Sequence, residues 1–159
     1  MLNMTKGGEL KWQDRCSYAW MRLQRNWAFL SPIVEYGVTE FIVGHYGEFD
    51  RLAAKAVIVA KQTHPEVTLS LLLPYHPVER PIEKPEGFDS TYYPPGMESV
   101  PRKLAIVRAN QYVVDHVDYL IAYAWHPASN ARELVEYSQK REQAGLMKVM
   151  NLAQIALWS

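Results

Sequence analysis

Three short stretches of the chain carry side chains that could do chemistry. The first is Gly44-His45-Tyr46-Gly47-Glu48-Phe49-Asp50. The second runs from Arg102 to Arg108 and Asn110. The third is Trp125-His126-Pro127-Ala128-Ser129-Asn130, followed by Arg132 and Glu133. Two glycines at the end of an apolar run let backbone N–H groups approach a phosphate, and a helix N-terminus adds partial positive charge. The full dinucleotide fingerprint is missing, because there is neither a G-x-G-x-x-G nor a P-loop lysine. On pattern alone residues 44 to 47 read first as a plain turn, with Glu48 and Asp50 as helix N-terminal charges that a phosphate would dislike.

Other residues carry paired readings. His45 and His126 follow predicted strands closely enough to face one crevice, yet a single His in such a loop is more often hydrogen-bonded than catalytic. Ser129 is first of all an N-cap. Glu133 lies one turn into the following helix, where a carboxylate can meet a ribose hydroxyl or act as a general base. Its competing role is a solvated helix charge, although Tyr137 four residues on offers it no ion pair. Trp125 could stack on a base, and burial alone would also account for it.

These stretches must be held by elements, and the periodicity supplies them. Trp12, Cys16, Trp20, Leu23, Trp27, Leu30 and Val34 step by three and four, which predicts a helix interrupted at Ser31-Pro32 and ended by Gly37. A strand is predicted at 39–43, a helix at 48–63, a strand at 67–73, a helix at 103–115, a strand at 118–124, a helix at 129–144 closed by Gly145, and a strand at 148–152. Alternation of this kind calls for one α/β domain, a Rossmann-like three-layer α/β/α arrangement with a mostly parallel sheet of four to five strands. Residues 74–102, holding seven of the ten prolines, read as one long irregular loop, and its Tyr75, Phe88, Tyr92 and Tyr93 argue that it packs as a lid. In such a sheet the three chemical stretches meet at the carboxyl ends of the strands.

Bulk properties narrow the partners. Lys plus Arg equals Asp plus Glu at 17 each, so no overall field favours nucleic acid or an anionic membrane. The lone Cys16 excludes an internal disulfide, no two of the five His have metal-ligand spacing, and no apolar run reaches membrane-spanning length. A cytoplasmic, folded domain without metal or cofactor is the expectation.

FIVGHYGEFDRLA, YYPPGMESVPRKLAIVRANQYVVDHVDYLIAY and HPASNARELVEYSQKR followed by KVMNL resemble the YpsA-like branch of the SLOG superfamily. This Rossmann-like group includes the lonely-guy phosphoribohydrolases and DprA. The resemblance runs from about residue 33 to residue 152. It implies a crevice for a nucleotide or nucleotide-derived ligand of AMP, NAD or ADP-ribose type. Gly44, Gly47, Phe49 and Asp50 fall on the family's first turn, Arg108 and Asn110 on its helix, and Glu133 on an acidic position in its last helix. Some members cleave an N-glycosidic bond of a nucleoside monophosphate, for which Glu133 would be the catalytic acid/base, and others only sense ligands.

Two departures matter. Pro127-Ala128-Ser129-Asn130 stands where the family's second loop is glycine-rich, which leaves less room for backbone to reach a phosphate. Only residues 1–11, beginning MLNMTKGG, precede the first helix, where the family has a strand in the middle of the sheet. A missing central strand would leave backbone groups unpaired. MLNM as a short strand with Lys6-Gly7-Gly8 as its turn, direct pairing of the two neighbours, or insertion of the 153–159 tail or a partner chain would each repair it; the first is the favoured expectation. The expected function is binding or sensing of a nucleotide-like small molecule. The alternatives are a nucleoside-monophosphate phosphoribohydrolase and a non-catalytic interaction protein that forms a homodimer.

Overall fold

The computed structural model describes residues 33–155. Five strands, β1 (Glu40–Val43), β2 (Thr68–Leu72), β3 (Ser90–Tyr92), β4 (Tyr119–Ala122) and β5 (Lys148–Asn151), alternate with helices α1 (Glu48–Ala60), α2 (Ala105–His116) and α3 (Asn130–Gln143). A last short helix, α4, covers Leu152–Ile155. The predicted elements therefore stand to within a few residues. All but the last turn of the predicted first helix, together with MLNM and the end of the tail, lies outside the described residues. That last turn, 33–36, is helical and stops at Gly37, whose φ of 66° lets its N–H donate to Ile33 O at 3.0 Å.

Residues 74–102 are less irregular than expected. They contain β3 and two 3-10 turns, Met97–Ser99 and Arg102–Leu104. Ser90-Thr91-Tyr92 has no apolar alternation to announce a strand, and what makes it one is a tertiary anchor. Asp89 Oδ2 accepts from Leu69 N–H at 2.7 Å and from Lys61 Nζ at 2.6 Å, and Lys61 Nζ also donates to Gly87 O at 3.1 Å. The end of α1, the start of β2 and the start of β3 are tied by one carboxylate, whose pKa is lowered first by the Lys61 hydrogen bond and then by the Leu69 amide.

Every strand pair is parallel, but the strands form two ladders. One has the order β1-β2-β3 and the other is β4-β5. On one side, α1 lays Ala53, Ala56, Val57 and Ala60 over Phe41, Val43 and Leu69, and Ile121 of β4 joins the same core. On the other, α2 and α3 bring Ala109, Val113, Leu134 and Val135 against Leu72 and against Leu120 and Ala122 of β4, with Ile42 packed alongside. Successive β4 residues thus enter opposite cores, which puts β4 in the same layer as β1 and β2. The result is an α/β architecture with helices on both faces of parallel strands, as a Rossmann-like fold requires. The winding reverses between β1 and β4, because β1 leads outward through α1 to β2, while β4 leads the other way through α3 to β5. Among the described residues no helix is long and apolar enough to cross a membrane.

Gly87 shows how closely the 74–102 segment is held. Its φ is 88°, and a Cβ there would lie 2.5 Å from Ile58 Cδ1 of α1. Gly87→Ala is expected to destabilise the fold by about 1–3 kcal/mol, through left-handed strain and overlap with Ile58. Urea unfolding checks it, and an unchanged midpoint would show that the segment is not packed on α1.

Candidate functional site

Parallel strands align their carboxyl ends, so the loops after β1, β2, β3 and β4 all leave from one edge, and the point of reversal between β1 and β4 is where such sheets open a crevice. Phe49, at the start of α1, stacks on Tyr123, just beyond β4, with ring centroids 5.9 Å apart. This joins the first and third chemical stretches across that point.

The turn 44–47 is shaped by Asp50. Its side chain folds back so that Oδ2 accepts from Gly47 N–H at 3.1 Å, the carboxylate half of a capping box. Asp50 is 1% exposed and its Oδ1 has no partner. Burial raises its pKa well above the usual carboxylate range, against the lowering effect of the Gly47 and Tyr46 N–H groups. The residue read as a helix N-terminal charge is thus buried, and it caps the amide of Gly47, which has no side chain of its own for the purpose. Gly44 and Gly47 are both at negative or unremarkable φ; the only positive-φ glycines among the described residues are Gly37, Gly87, Gly96 and Gly145. The turn therefore does not draw on the left-handed freedom of its glycines.

Above the turn sits a cluster that the sequence reading only partly anticipated. His45 packs edge-on to Tyr46 at 5.5 Å and Tyr46 edge-on to Tyr75 at 6.2 Å. The Arg80 guanidinium lies 5.9 Å from the Tyr46 ring centre and 5.2 Å from that of Tyr75. Burial raises the Tyr46 pKa, Arg80 lowers it and Tyr75 raises it further. Nearby in the same loop, His76 meets Tyr93 edge-on at 5.3 Å, and Glu79 Oε2 stands 3.8 Å from Arg102 Nη2. The 74–102 segment thus contacts the first stretch through Tyr75 and Arg80, and Arg102 through Glu79. Its aromatics had signalled packing. Arg80 carried no signal beyond its place among them, since a guanidinium–aromatic contact has no fixed sequence spacing.

The remaining predicted residues divide. Trp125 is 69% exposed and, among the described residues, meets His126 edge-on, so there it presents an aromatic surface rather than core. His126 Nδ1 accepts from Ala128 N–H at 3.2 Å, which is a loop-forming role. Ser129 caps α3 by accepting from Arg132 N–H at 3.2 Å, and Asn130 is the first residue of that helix. Arg108 is exposed, bonded to Gln111 Oε1 at 3.3 Å and within electrostatic reach of Tyr137, so it lies along the α2–α3 side. Asn110 is buried, donates to Ile106 O at 2.6 Å, and leaves its Oδ1 without a partner. Glu133 faces solvent on α3, while Ala131, Leu134 and Val135 take the buried side. Among the described residues no contact joins Arg108 or Glu133 to the Tyr46–Arg80 cluster. Among the described residues no three His, Cys, Asp or Glu side chains gather as a cation site.

A polar clamp absent from the sequence reading holds the edge on the β4 side. Asn151 is 5% exposed, its Oδ1 accepts from Ala124 N–H at 3.0 Å and Ala153 N–H at 3.2 Å, and its Nδ2 donates to Ala124 O at 3.2 Å. It fixes where β4 gives way to Trp125.

A cavity of about 920 Å³ lies elsewhere, at the amino ends of the strands between Tyr36, Glu40, Thr68, Ser90, Tyr119 and Lys148. None of the predicted site residues lines it. Size alone does not make it the chemical site, because it lacks the helix N-termini that converge on the opposite edge.

The raised pKa of Asp50 sets a pH dependence of definite sign. An acid that holds its proton more tightly when folded opposes stability once ionised, so stability falls as pH rises from the unfolded carboxyl range, about 3.9, through the folded value. Asp50→Asn keeps an acceptor for Gly47 N–H and removes the charge. Its stability relative to the wild type is expected to rise between pH 4 and pH 8 in urea unfolding; a pH-independent difference would mean that the buried carboxyl titrates normally. The chain matches no family model and has no significant match to a curated protein.

Proposed function

We propose that the carboxyl edge binds a nucleotide-derived small molecule of the AMP, NAD or ADP-ribose type, as a binder or sensor. The observation that carries this reading is the Arg80 guanidinium set against the Tyr46 and Tyr75 rings at the point where the winding reverses. Ring faces suit a base, and a guanidinium suits a phosphate. Exposed Trp125 adds a further ring face on the β4 side. The resemblance of the GHYGEFD turn to YpsA-like SLOG proteins points the same way.

Hydrolysis has less to support it. Glu133 is exposed on α3, and no described side chain holds its carboxylate or joins it to the aromatic cluster. A general acid/base needs to be within reach of the bond it serves.

A thermal-shift series with AMP, NAD and ADP-ribose tests the reading. A ligand at 100 times its dissociation constant is expected to add about 2.7 kcal/mol, or roughly 5–10 °C for a domain of this size. Tyr46→Ala and Arg80→Ala are expected to abolish the shift without lowering the unliganded midpoint, since both side chains are exposed. A flat series across all three ligands would overturn the proposal.

A further inference from the structure

The amino ends of the strands have the opposite polarity to the carboxyl edge. Helices that run back across a parallel sheet finish there, and both α2 and α3 end at the cavity of about 920 Å³. Val113 and His116 of the last turn of α2, with Val117 after it, form one wall, and Gly145, Leu146 and Met147, just past α3, form another. The last carbonyls of a helix carry partial negative charge, felt within the terminal turn. His116 Nδ1–H donates to Tyr112 O at 2.7 Å, so Nε2 of the neutral ring is an acceptor as well. Lys140 and Arg141, in the last turn of α3, are not among the walls.

Two carboxylates strengthen this field. Glu40 of β1 and Asp118, which leads into β4, line the cavity, are exposed, and make no ion pair among the described residues. Asp89, a third acid in the wall, is already taken by Lys61 at 2.6 Å. Lys148, at the mouth, gives an independent sign of what is attracted there. Among the described residues it has no carboxylate partner, and its Nζ lies 3.9 Å from the centre of the Tyr36 ring, which stacks on Tyr119 at 5.3 Å. An ammonium resting on an aromatic ring without a counter-ion is held by the ring's own electrostatics.

We propose that this cavity binds a linear aliphatic diamine or polyamine. The walls match such a molecule along its length. Glu40, Asp118 and the helix ends take ammonium groups, and Ile42, Val113 and Val117 give the methylenes an apolar surface. Ser70 and Ser90, whose hydroxyls bond each other at 2.7 Å, keep oxygen lone pairs for further N–H donors. An anionic ligand would meet acids and helix carbonyls. A chelated metal ion fits less well, because among the described residues no three His, Cys, Asp or Glu side chains gather to hold one. The cavity lies at the opposite end of the strands from the 44–47 turn, so the inference does not depend on the nucleotide reading.

Calorimetric titration of the full chain with spermidine and with 1,5-diaminopentane tests it, with uncharged 1,8-octanediol as the control. Saturable one-site binding is expected for at least one amine and none for the diol. The double variant Glu40→Gln/Asp118→Asn is expected to weaken amine binding about tenfold, the combined effect of two exposed ion pairs. Each single variant is expected to lose several-fold, and these carry the test should the pair lower stability. Glu83→Gln, an exposed acid outside the cavity, is expected to bind as the wild type does. No saturable binding of either amine, equal binding of the diol, undiminished affinity in the Glu40 and Asp118 variants, or an equal loss in Glu83→Gln would each overturn the proposal.

Discussion

Everything in this fold depends on β4, a strand whose side chains serve two cores while, among the described residues, its backbone pairs with one neighbour. Leu120 and Ala122 lie under α2 and α3, Ile121 lies with Phe41 and Val57 under α1, and among the described residues the ladder hydrogen bonds go to β5. Buried apolar area is what binds the two ladders into one layer, helped by the Tyr36–Tyr119 and Phe49–Tyr123 stacks. The hydrophobic effect is non-directional and tolerates a gap in the backbone ladder. Hydrogen bonding does not, and that tension is the reason the edges of β1 and β4 are the most informative surfaces of the molecule.

The same reversal of winding places the candidate site. Strands that diverge on either side of it leave their carboxyl-end loops without a helix crossing between them, so the 44–47 turn and the residues after Ala122 face a common opening. Each wall is braced by a buried polar side chain acting on backbone. Asp50 secures the Gly47 amide on the β1 side, and Asn151 takes the N–H and C=O of Ala124 on the β4 side. Such bonds are short-range and directional, and a loop whose backbone is pinned at its base can present Tyr46 or Trp125 to solvent without ordering them separately. Lid residues Tyr75 and Arg80 then rest on Tyr46, closing the β1 side of the opening.

Asp50 and Asn110 share an unusual state. Both are nearly inaccessible, both hydrogen-bond to local helix or turn backbone, and both leave an oxygen without a partner. An orphaned buried acceptor costs on the order of 1–3 kcal/mol. For Asp50 the loss is set against the geometry of the turn that it holds, so the site's shape is maintained at some expense to stability, as strained or unsatisfied groups at functional sites often are. For Asn110 the structure offers no comparable return.

Sequence by itself determined the order of the elements other than β3, the parallel sense of the strands and the edge at which the loops gather. Those follow from local periodicity: apolar spacing of three and four in α1 and α2, apolar runs in β1, β2 and β4, and Gly37 and Gly145 as stops, all of which act between near neighbours in the chain. It also pointed to the 44–47 turn and to Ser129 as a cap, since capping is a four-residue matter. Tertiary structure alone decided the rest. That Ser90–Tyr92 is a strand depends on Asp89 meeting Lys61 from 28 residues away. That Arg80 joins Tyr46, that Asn151 clamps Ala124, and that Arg108 and Glu133 lie outside the cluster depend on how helices and loops pack, which spacing does not encode. The division of the strands into two ladders belongs here too, because a strand's pattern announces that it will pair and leaves its partner to the packing of the whole domain.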